Sequence, residues 1–220
     1  MEKCLVIANG APPKGEEIAY FRRKGYDTLL AADGGAEAAR RLDLTPDYIV
    51  GDFDSVSDET LERFRGASEI VHVAEQDSTD VEKCFRFALE RGAKRAVVFG
   101  AFGDRLDHSL ANVSHILKYR HSLRATIASG KSALSTVDGV GKFPSRAGET
   151  ISLFAFNPAV RVTTVGLEYP LDKEPLAFGS RESVSNVVVG DEFRVVALGG
   201  PVVVARELDL LIDYDLFPTD

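Results

Sequence analysis

Four short segments of the chain concentrate carboxylates beside glycine and small polar residues: Ala32-Asp33-Gly34-Gly35, Gly51-Asp52-Phe53-Asp54-Ser55, Gln76-Asp77-Ser78-Thr79-Asp80 and Gly103-Asp104-Arg105-Leu106-Asp107-His108. Singly, each has a structural explanation. Asp33 can cap the helix that follows it, Asp52 and Asp54 can form an Asx-rich turn, and Thr79 with Glu82 fits a capping box. Together they point to chemistry, because every segment follows a short apolar run and so delivers its carboxylate to the same edge of a sheet. Two carboxylates about 5 Å apart repel by about 3 kcal/mol at an effective dielectric of about 20. Several such pairs raise carboxylate pKa values or push the side chains apart unless cations lie among them. Oxygen donors without a neighbouring Cys or His pair favour Mg²⁺ or Mn²⁺ over zinc, and magnesium is commonly shared between a few carboxylates and phosphate oxygens. The expected ligand is therefore a nucleotide phosphate, with Asp33, Asp52, Asp54, Asp80 and Asp107 as the catalytic set.

Neighbouring residues fit the same chemistry. Gly34 and Gly35, opening a helix, allow backbone N–H groups to approach phosphate, and Arg105 supplies a guanidinium fork for phosphate oxygens. His108 follows Asp107 at a helix start and is expected to orient it or to serve the cap. His72, His115 and His121 lack metal-ligand spacing and are read as structural residues. The commoner nucleotide loops are missing. Gly130-Lys131-Ser132 lacks the earlier glycine of a Walker loop, and no GxGxxG follows a strand. A rival reading comes from Asp52-Phe53-Asp54-Ser55-Val56, which resembles the nucleophile motif of haloacid-dehalogenase-type phosphatases. Two strand–helix units precede it here, and Asp33, Asp80 and Asp107 would then have no role.

The elements that must carry these residues alternate. Apolar runs at Cys4 to Ala8, Thr28 to Ala32, Tyr48 to Val50, Ile70 to Val73, Ala96 to Phe99 and Ala125 to Ala128 read as strands. Helical patterns lie between them at Glu16 to Lys24, Ala36 to Leu42, Asp58 to Arg65, Val81 to Arg91 and Leu106 to Tyr119. This predicts βαβ units, a mostly parallel sheet, and a Rossmann-like α/β domain over residues 1–130. In the last helix Leu106, Leu110, Val113 and Leu117 are spaced along one face, which is expected to pack inward. After Ser132 the texture becomes alternating β sequence broken by turn residues, with strands expected at Thr150 to Phe156, Val160 to Val165, Ser185 to Val189, Phe193 to Leu198 and Val202 to Ala205. Residues 131–220 are thus expected to form an all-β sandwich domain.

Composition narrows the partners. The chain has 220 residues with 45% hydrophobic content, enough for a buried core, and a formal charge of −8 from 26 basic and 34 acidic residues. That charge disfavours a nucleic acid. No apolar run approaches the roughly 20 residues of a membrane span, so no membrane partner is expected. Cys4 and Cys84 are the only cysteines and lack CxxC spacing, which suits a reducing compartment, and the expected location is cytoplasmic.

The four acidic motifs, in this order and spacing, resemble those of the thiamine pyrophosphokinase family. So does the later region Gly166-Leu167-Glu168-Tyr169-Pro170-Leu171, Leu176, Gly179 and Ser183-Val184-Ser185-Asn186. Glu75 and Asp104 depart from the family's usual aspartate and glycine. The resemblance implies transfer of a pyrophosphoryl group from ATP to thiamine, giving thiamine diphosphate and AMP, by a homodimer with its sites at the subunit interface. It implies Mg²⁺ at Asp52, Asp54, Asp80 and Asp107, and ATP at Asp33, Gly34, Gly35, Arg105, Asp107 and His108. Thiamine would lie near Gln76, Asp80, Tyr169, Ser185 and Asn186, in a β domain that also dimerises. A pterin pyrophosphokinase sharing the acidic motifs, the DxD phosphatase, and a non-catalytic thiamine or nucleotide sensor remain as alternatives.

Overall fold

A computed structural model describes residues 1–218, and the chain divides into two compact units, Met1–Gly130 and Lys131–Asp220. In the first, six strands alternate with five helices: β1 (Lys3–Ile7), α1 (Gly15–Arg23), β2 (Thr28–Ala32), α2 (Gly35–Arg41), β3 (Tyr48–Gly51), α3 (Asp58–Phe64), β4 (Glu69–His72), α4 (Asp80–Glu90), β5 (Arg95–Phe99), α5 (Leu106–Tyr119) and β6 (Arg124–Ser129). The strands pair in the order β6-β5-β1-β2-β3-β4, every pair parallel. The central strands carry continuous apolar runs because helices cover both faces of such a sheet: Leu5, Val6 and Ile7 of β1, Leu29 and Leu30 of β2, and Val97 and Val98 of β5 are all inaccessible to solvent.

The helices start where the sequence offers a cap. Ser57 accepts from the Thr60 N–H at the start of α3, and Thr79 accepts from the Glu82 N–H at the start of α4. Only half of the expected Thr79–Glu82 box forms, since the Glu82 carboxylate turns away to α5. The α4 face made by Val81, Cys84, Phe85 and Ala88 enters the core at helical spacing. On α5 the expectation of an inward leucine face is corrected. Its buried residues are Asn112, His115 and Ile116, whereas Leu106 and Leu110 are 75% and 66% exposed. Most of the inward polar atoms find partners: Asn112 Nδ2 donates to the Ala101 carbonyl at 2.7 Å and His115 Nε2 lies 2.9 Å from Thr79 Oγ1, while Asn112 Oδ1 is buried without a partner among the described residues.

The second unit is antiparallel: β7 (Ser132–Pro144), β8 (Thr150–Phe154), β9 (Arg161–Val165), β10 (Glu174–Pro175), β11 (Ser183–Val187) and β12 (Glu192–Glu207), closed by α6 (Leu208–Asp213). The two strands expected around residues 193 and 202 are one long strand. Its register slips between Ala197 and Val202, so that it pairs with β9 through its first half and with β8 through its second, while β7 follows it throughout. The slip contains Gly199 and Gly200. It shifts the inward parity from Phe193, Val195 and Ala197 to Val202 and Val204, so both halves feed one core with Ile151, Leu153, Val162 and Leu176. Beside that core Arg206 and Glu149 form a buried two-pronged ion pair at 2.6 and 2.8 Å, and the Arg206 guanidinium lies over the Phe143 and Phe193 rings. Among the described residues, no helix is long and apolar enough to cross a membrane.

Removing one partner of that ion pair strands a charge in a dry site. Arg206→Met is expected to destabilise the protein by about 3–5 kcal/mol in urea unfolding, and Glu149→Leu combined with Arg206→Met to recover most of the loss. Equal losses in the single and double variants would show that packing, not the uncompensated carboxylate, sets the cost.

Candidate active site at the strand edge of the first unit

The carboxyl ends of β2 and β3 and the first turn of α4 bring three aspartates together. One oxygen each of Asp33, Asp52 and Asp80 lies within 4.8 Å of the other two. Asp33 stands at the end of β2 with φ of 42°, a left-handed conformation that Asp tolerates better than most residues. It does not cap α2, whose N-cap is Gly34. Its Oδ1 instead accepts from the Val56 N–H at 3.1 Å, tying β2 to the loop after β3. The next turn needs room. A Cβ on Gly51 would lie 2.8 Å from Asp33 Cβ, and one on Gly35 only 1.9 Å from the Ile7 carbonyl oxygen. Between Asp52 and Asp54, Phe53 has φ of 66°, which costs a bulky residue about 1–3 kcal/mol. Its ring rests beside His72, 5.6 Å between centroids.

Burial and the neighbouring carboxylates of Asp80 and Asp54 push the Asp33 carboxyl up to about 7. Its Oδ2 is buried and has no hydrogen-bond partner among the described residues. Asp52 is held differently. Its Oδ2 accepts from Lys83 Nζ at 3.1 Å and from Gln76 Nε2 at 2.8 Å, and although burial opposes this, the Lys83 ammonium brings its pKa below the ordinary carboxylate value. Lys83 also donates to Asp80 Oδ1 at 3.0 Å, and its side chain is only 2% exposed. Lys83 was not singled out from the sequence. The signal available was Asp80-x-x-Lys83 at the start of a helix, which puts the lysine one turn above the aspartate on the same face.

The remaining expected residues fall around this group in different ways. Asp54 is exposed, takes the Ser55 hydroxyl at 2.8 Å and stands close enough to raise the Asp33 pKa. Asp107 lies outside the three-carboxylate group. Arg105 grips both of its oxygens, at 2.9 and 2.6 Å, and drives its pKa far down. The His108 N–H serves Asp107, while the His108 ring is exposed. Gly34 and Gly35 open α2 next to Asp33. Glu75 is taken by Arg86 at 2.6 Å, so the loop before α4 is anchored to that helix.

In the second unit, Ser185 has φ of 56° and gives its N–H to Ser152 Oγ at 3.1 Å. Asn186 is buried, and its amide serves the backbone. Oδ1 accepts from the Tyr169 and Val187 N–H groups, and Nδ2 donates to the Tyr169 carbonyl. Tyr169 itself is exposed. Asn186 Nδ2 also donates to Ser183 Oγ at 3.4 Å, so Asn186 shapes the Tyr169 segment with both of its donor hydrogens engaged.

The elevated Asp33 pKa has a consequence for stability. The folded state holds a proton that the unfolded chain has already released, so this group's contribution is present below about pH 4 and is lost as pH rises through about 7. Asp33→Asn cannot ionise. In cation-free buffer its melting temperature is expected to rise relative to the parent by several degrees as pH is raised through that window, and saturating Mg²⁺ is expected to reverse the order. A difference that does not change with pH would place the Asp33 pKa in the ordinary range.

Comparisons with known proteins match this architecture unit by unit. The family model for the thiamin pyrophosphokinase catalytic domain matches residues 23–127, and that for the thiamin pyrophosphokinase vitamin B1 binding domain matches residues 142–203. Thiamine pyrophosphokinase 3 of Oryza sativa subsp. japonica is 30% identical over 178 residues, covering 74% of this chain and 66% of that protein. Thiamine pyrophosphokinase of Bacillus subtilis (strain 168) is 25% identical over 216 residues, covering 95% of this chain and all of that one (100%). The solved structure of thiamin pyrophosphokinase from Candida albicans superposes with a TM-score of 0.82 over 93% of this chain and 89% of that one, and at 18% identity it speaks for the fold. With both of its units matched, the chain belongs to the thiamine pyrophosphokinase family.

Proposed function

We propose that the protein transfers the pyrophosphoryl group of ATP to the hydroxyl of thiamine. The observation that carries this reading is the Asp33, Asp52 and Asp80 group, with Lys83 between two of its members, at the strand edge of a chain matched by both thiamin pyrophosphokinase domain models. The hydroxyl oxygen of thiamine forms a bond to the β-phosphorus, the bond from that phosphorus to the α-phosphate oxygen breaks, and AMP leaves with the electron pair. The hydroxyl proton passes to a carboxylate of the site or to water. Such transfers depend on positioning and charge neutralisation more than on a protein nucleophile.

The donors fit a divalent cation, Mg²⁺ or Mn²⁺. They are all oxygen, they converge, and the Asp33 Oδ2 atom is buried without a partner among the described residues. Asp33, Asp52 and Asp80 would hold it, with Asp54 beside them, and it would offset phosphate charge. Lys83 keeps Asp52 and Asp80 together and lowers the negative potential that a triphosphate meets. Arg105 is poised to exchange Asp107 for a phosphate oxygen, since the pair is solvent-exposed and each partner is a surface group. On the thiamine side, Asn186 fixes the segment that presents Tyr169, and the chain's charge of −8 suits a cationic acceptor.

We assign the chain to a homodimer with its sites completed at the subunit interface. Leu106 and Leu110 favour this: they flank Asp107 and form an exposed apolar face next to the phosphate-side residues. A cytoplasmic location accords with two buried free thiols. No observation favours the pterin, phosphatase or sensor readings.

Incubation with Mg-ATP and thiamine is expected to give AMP and thiamine diphosphate; ADP as the nucleotide product would overturn the proposal, and thiamine-independent phosphate release would favour the phosphatase. Asp52→Asn is expected to lower kcat on the order of 100-fold or more with the fold retained. Leu110→Lys is expected to yield monomers in sedimentation and to lose activity, whereas a monomeric parent protein would refute the dimer.

A further inference from the structure

A polar cluster at the first turn of α4, built around the buried Glu82 and His115, has no part in the transfer and adjoins Asp80 in sequence. Glu82, two residues beyond Asp80, points its carboxylate into α5, where three side chains at i, i+3 and i+4 meet it. Lys118 Nζ donates to Oε1 at 2.6 Å, Tyr119 Oη donates to the same atom at 2.8 Å, and His115 Nδ1 stands 3.7 Å from Oε2. The other ring nitrogen of His115 lies 2.9 Å from Thr79 Oγ1, and Thr79 is the N-cap of α4. The N-cap residue and the third helical residue of α4 are thus both fastened to α5.

The proton order follows from the donors. Thr79 Oγ1 accepts from the Glu82 N–H at 3.3 Å, so its own hydrogen is available to His115 Nε2. Nδ1 faces the Glu82 carboxylate, which only accepts, so the tautomer that fits carries its proton on Nδ1 and leaves Nε2 to accept from the Thr79 hydroxyl. Burial, against the pull of Glu82, holds His115 below its ordinary pKa, which keeps the ring neutral. The turn fixed in this way carries Asp80 at its start and Lys83 one turn later, and Lys83 is the group that joins Asp80 to Asp52. A shift of α4 on α5 would move Asp80 and Lys83 relative to Asp33 and Asp52.

We propose that His115 is a positioning residue that, through Thr79 and Glu82, locks the first turn of α4 onto α5 and thereby preforms the cation and nucleotide site. This rests on the strand-edge cluster being that site. Its role differs from packing alone, because a packing residue would affect stability without selecting which substrate is bound.

The test uses Mn²⁺ as the probe, with its affinity measured by electron paramagnetic resonance on the full chain, alongside KM for Mg-ATP and for thiamine and the melting temperature. His115→Phe and Thr79→Val are expected to weaken Mn²⁺ binding and raise KM for Mg-ATP about 10-fold, the scale on which groups orienting a metal ligand act, with KM for thiamine unchanged. His115→Gln and Thr79→Ser, which keep an acceptor and a hydroxyl in place, are expected to restore most of the loss. Nitrogen-15 spectra of the parent protein, which has four histidines, are expected to show His115 neutral with its proton on Nδ1. Parental Mn²⁺ affinity and Mg-ATP KM in a folded His115→Phe, or in Thr79→Val should His115→Phe not fold, would overturn the proposal. So would a proton on Nε2, or an equal rise in both KM values. A parent protein that makes no AMP, while His115→Phe still weakens Mn²⁺ binding, would refute the pyrophosphoryl transfer and leave the positioning role standing.

Discussion

The contact on which the site depends is the Lys83 ammonium, buried between Asp52 and Asp80. Without it, three converging carboxylates would have to spread or take up protons. Asp33, which Lys83 does not neutralise, is pushed up to about 7, first by its own burial and then by its acidic neighbours. One fixed cation against three acids leaves a net negative pocket with an unpartnered buried oxygen, and that residual charge is what makes a divalent cation with its phosphates a favourable occupant. A second lysine would have satisfied the acids and closed the site to metal.

Parallel topology explains why the acids meet at all. In a sheet ordered β6-β5-β1-β2-β3-β4 all strands end on one side, and ligand-binding residues collect beyond those ends. Delivering a carboxylate oxygen to within 4.8 Å of its neighbours then requires departures from regular backbone. Asp33 and Phe53 occupy left-handed conformations, and Gly51 lacks the Cβ that would strike Asp33. Left-handed backbone also occurs at Asp43, Lys173, Ser185 and Asp215, but at Asp33 and Phe53 its cost falls within the acidic segments themselves.

Much of the first unit was legible in the sequence because its signals are local. The strand Thr28–Ala32 and the helix Leu106–Tyr119 have the expected bounds, since apolar run length and helical period survive tertiary packing. What failed were inferences about which face or partner a residue takes. The leucine stripe of α5 looked like a core face, yet the inward face is built from Asn112 and His115, whose hydrogen bonds make polar burial acceptable, a feature hydrophobic periodicity does not register. Glu82 satisfied the pattern of a capping box, but two donors on α5, Lys118 Nζ and Tyr119 Oη, outcompete the single backbone N–H at Thr79. The long β12 read as two strands because the Gly199-Gly200 slip resembles a turn when only one chain segment is in view. Lys83 escaped notice for a related reason: a lysine in a helix is ordinarily a surface group, and only the fold shows that its ammonium ends among acids.

Asp107 differs from its partners for a similar reason. By spacing it belonged with the other aspartates, but its backbone starts α5, and Arg105 two residues earlier folds onto it. An exposed pair of this kind is weakly held, whereas Asp52 is fixed by a buried lysine and by Gln76. The site therefore combines a rigid half, preset by α4 and its attachment to α5, with an adjustable half at the start of α5. Rigidity suits the residues that must hold a cation at defined distances, and exchangeability suits those that must take hold of phosphate on arrival and release it with the product. Because α5 supplies both the adjustable pair at its first turn and the grip on Glu82 at its last, the helix is the element through which the two halves keep their separation.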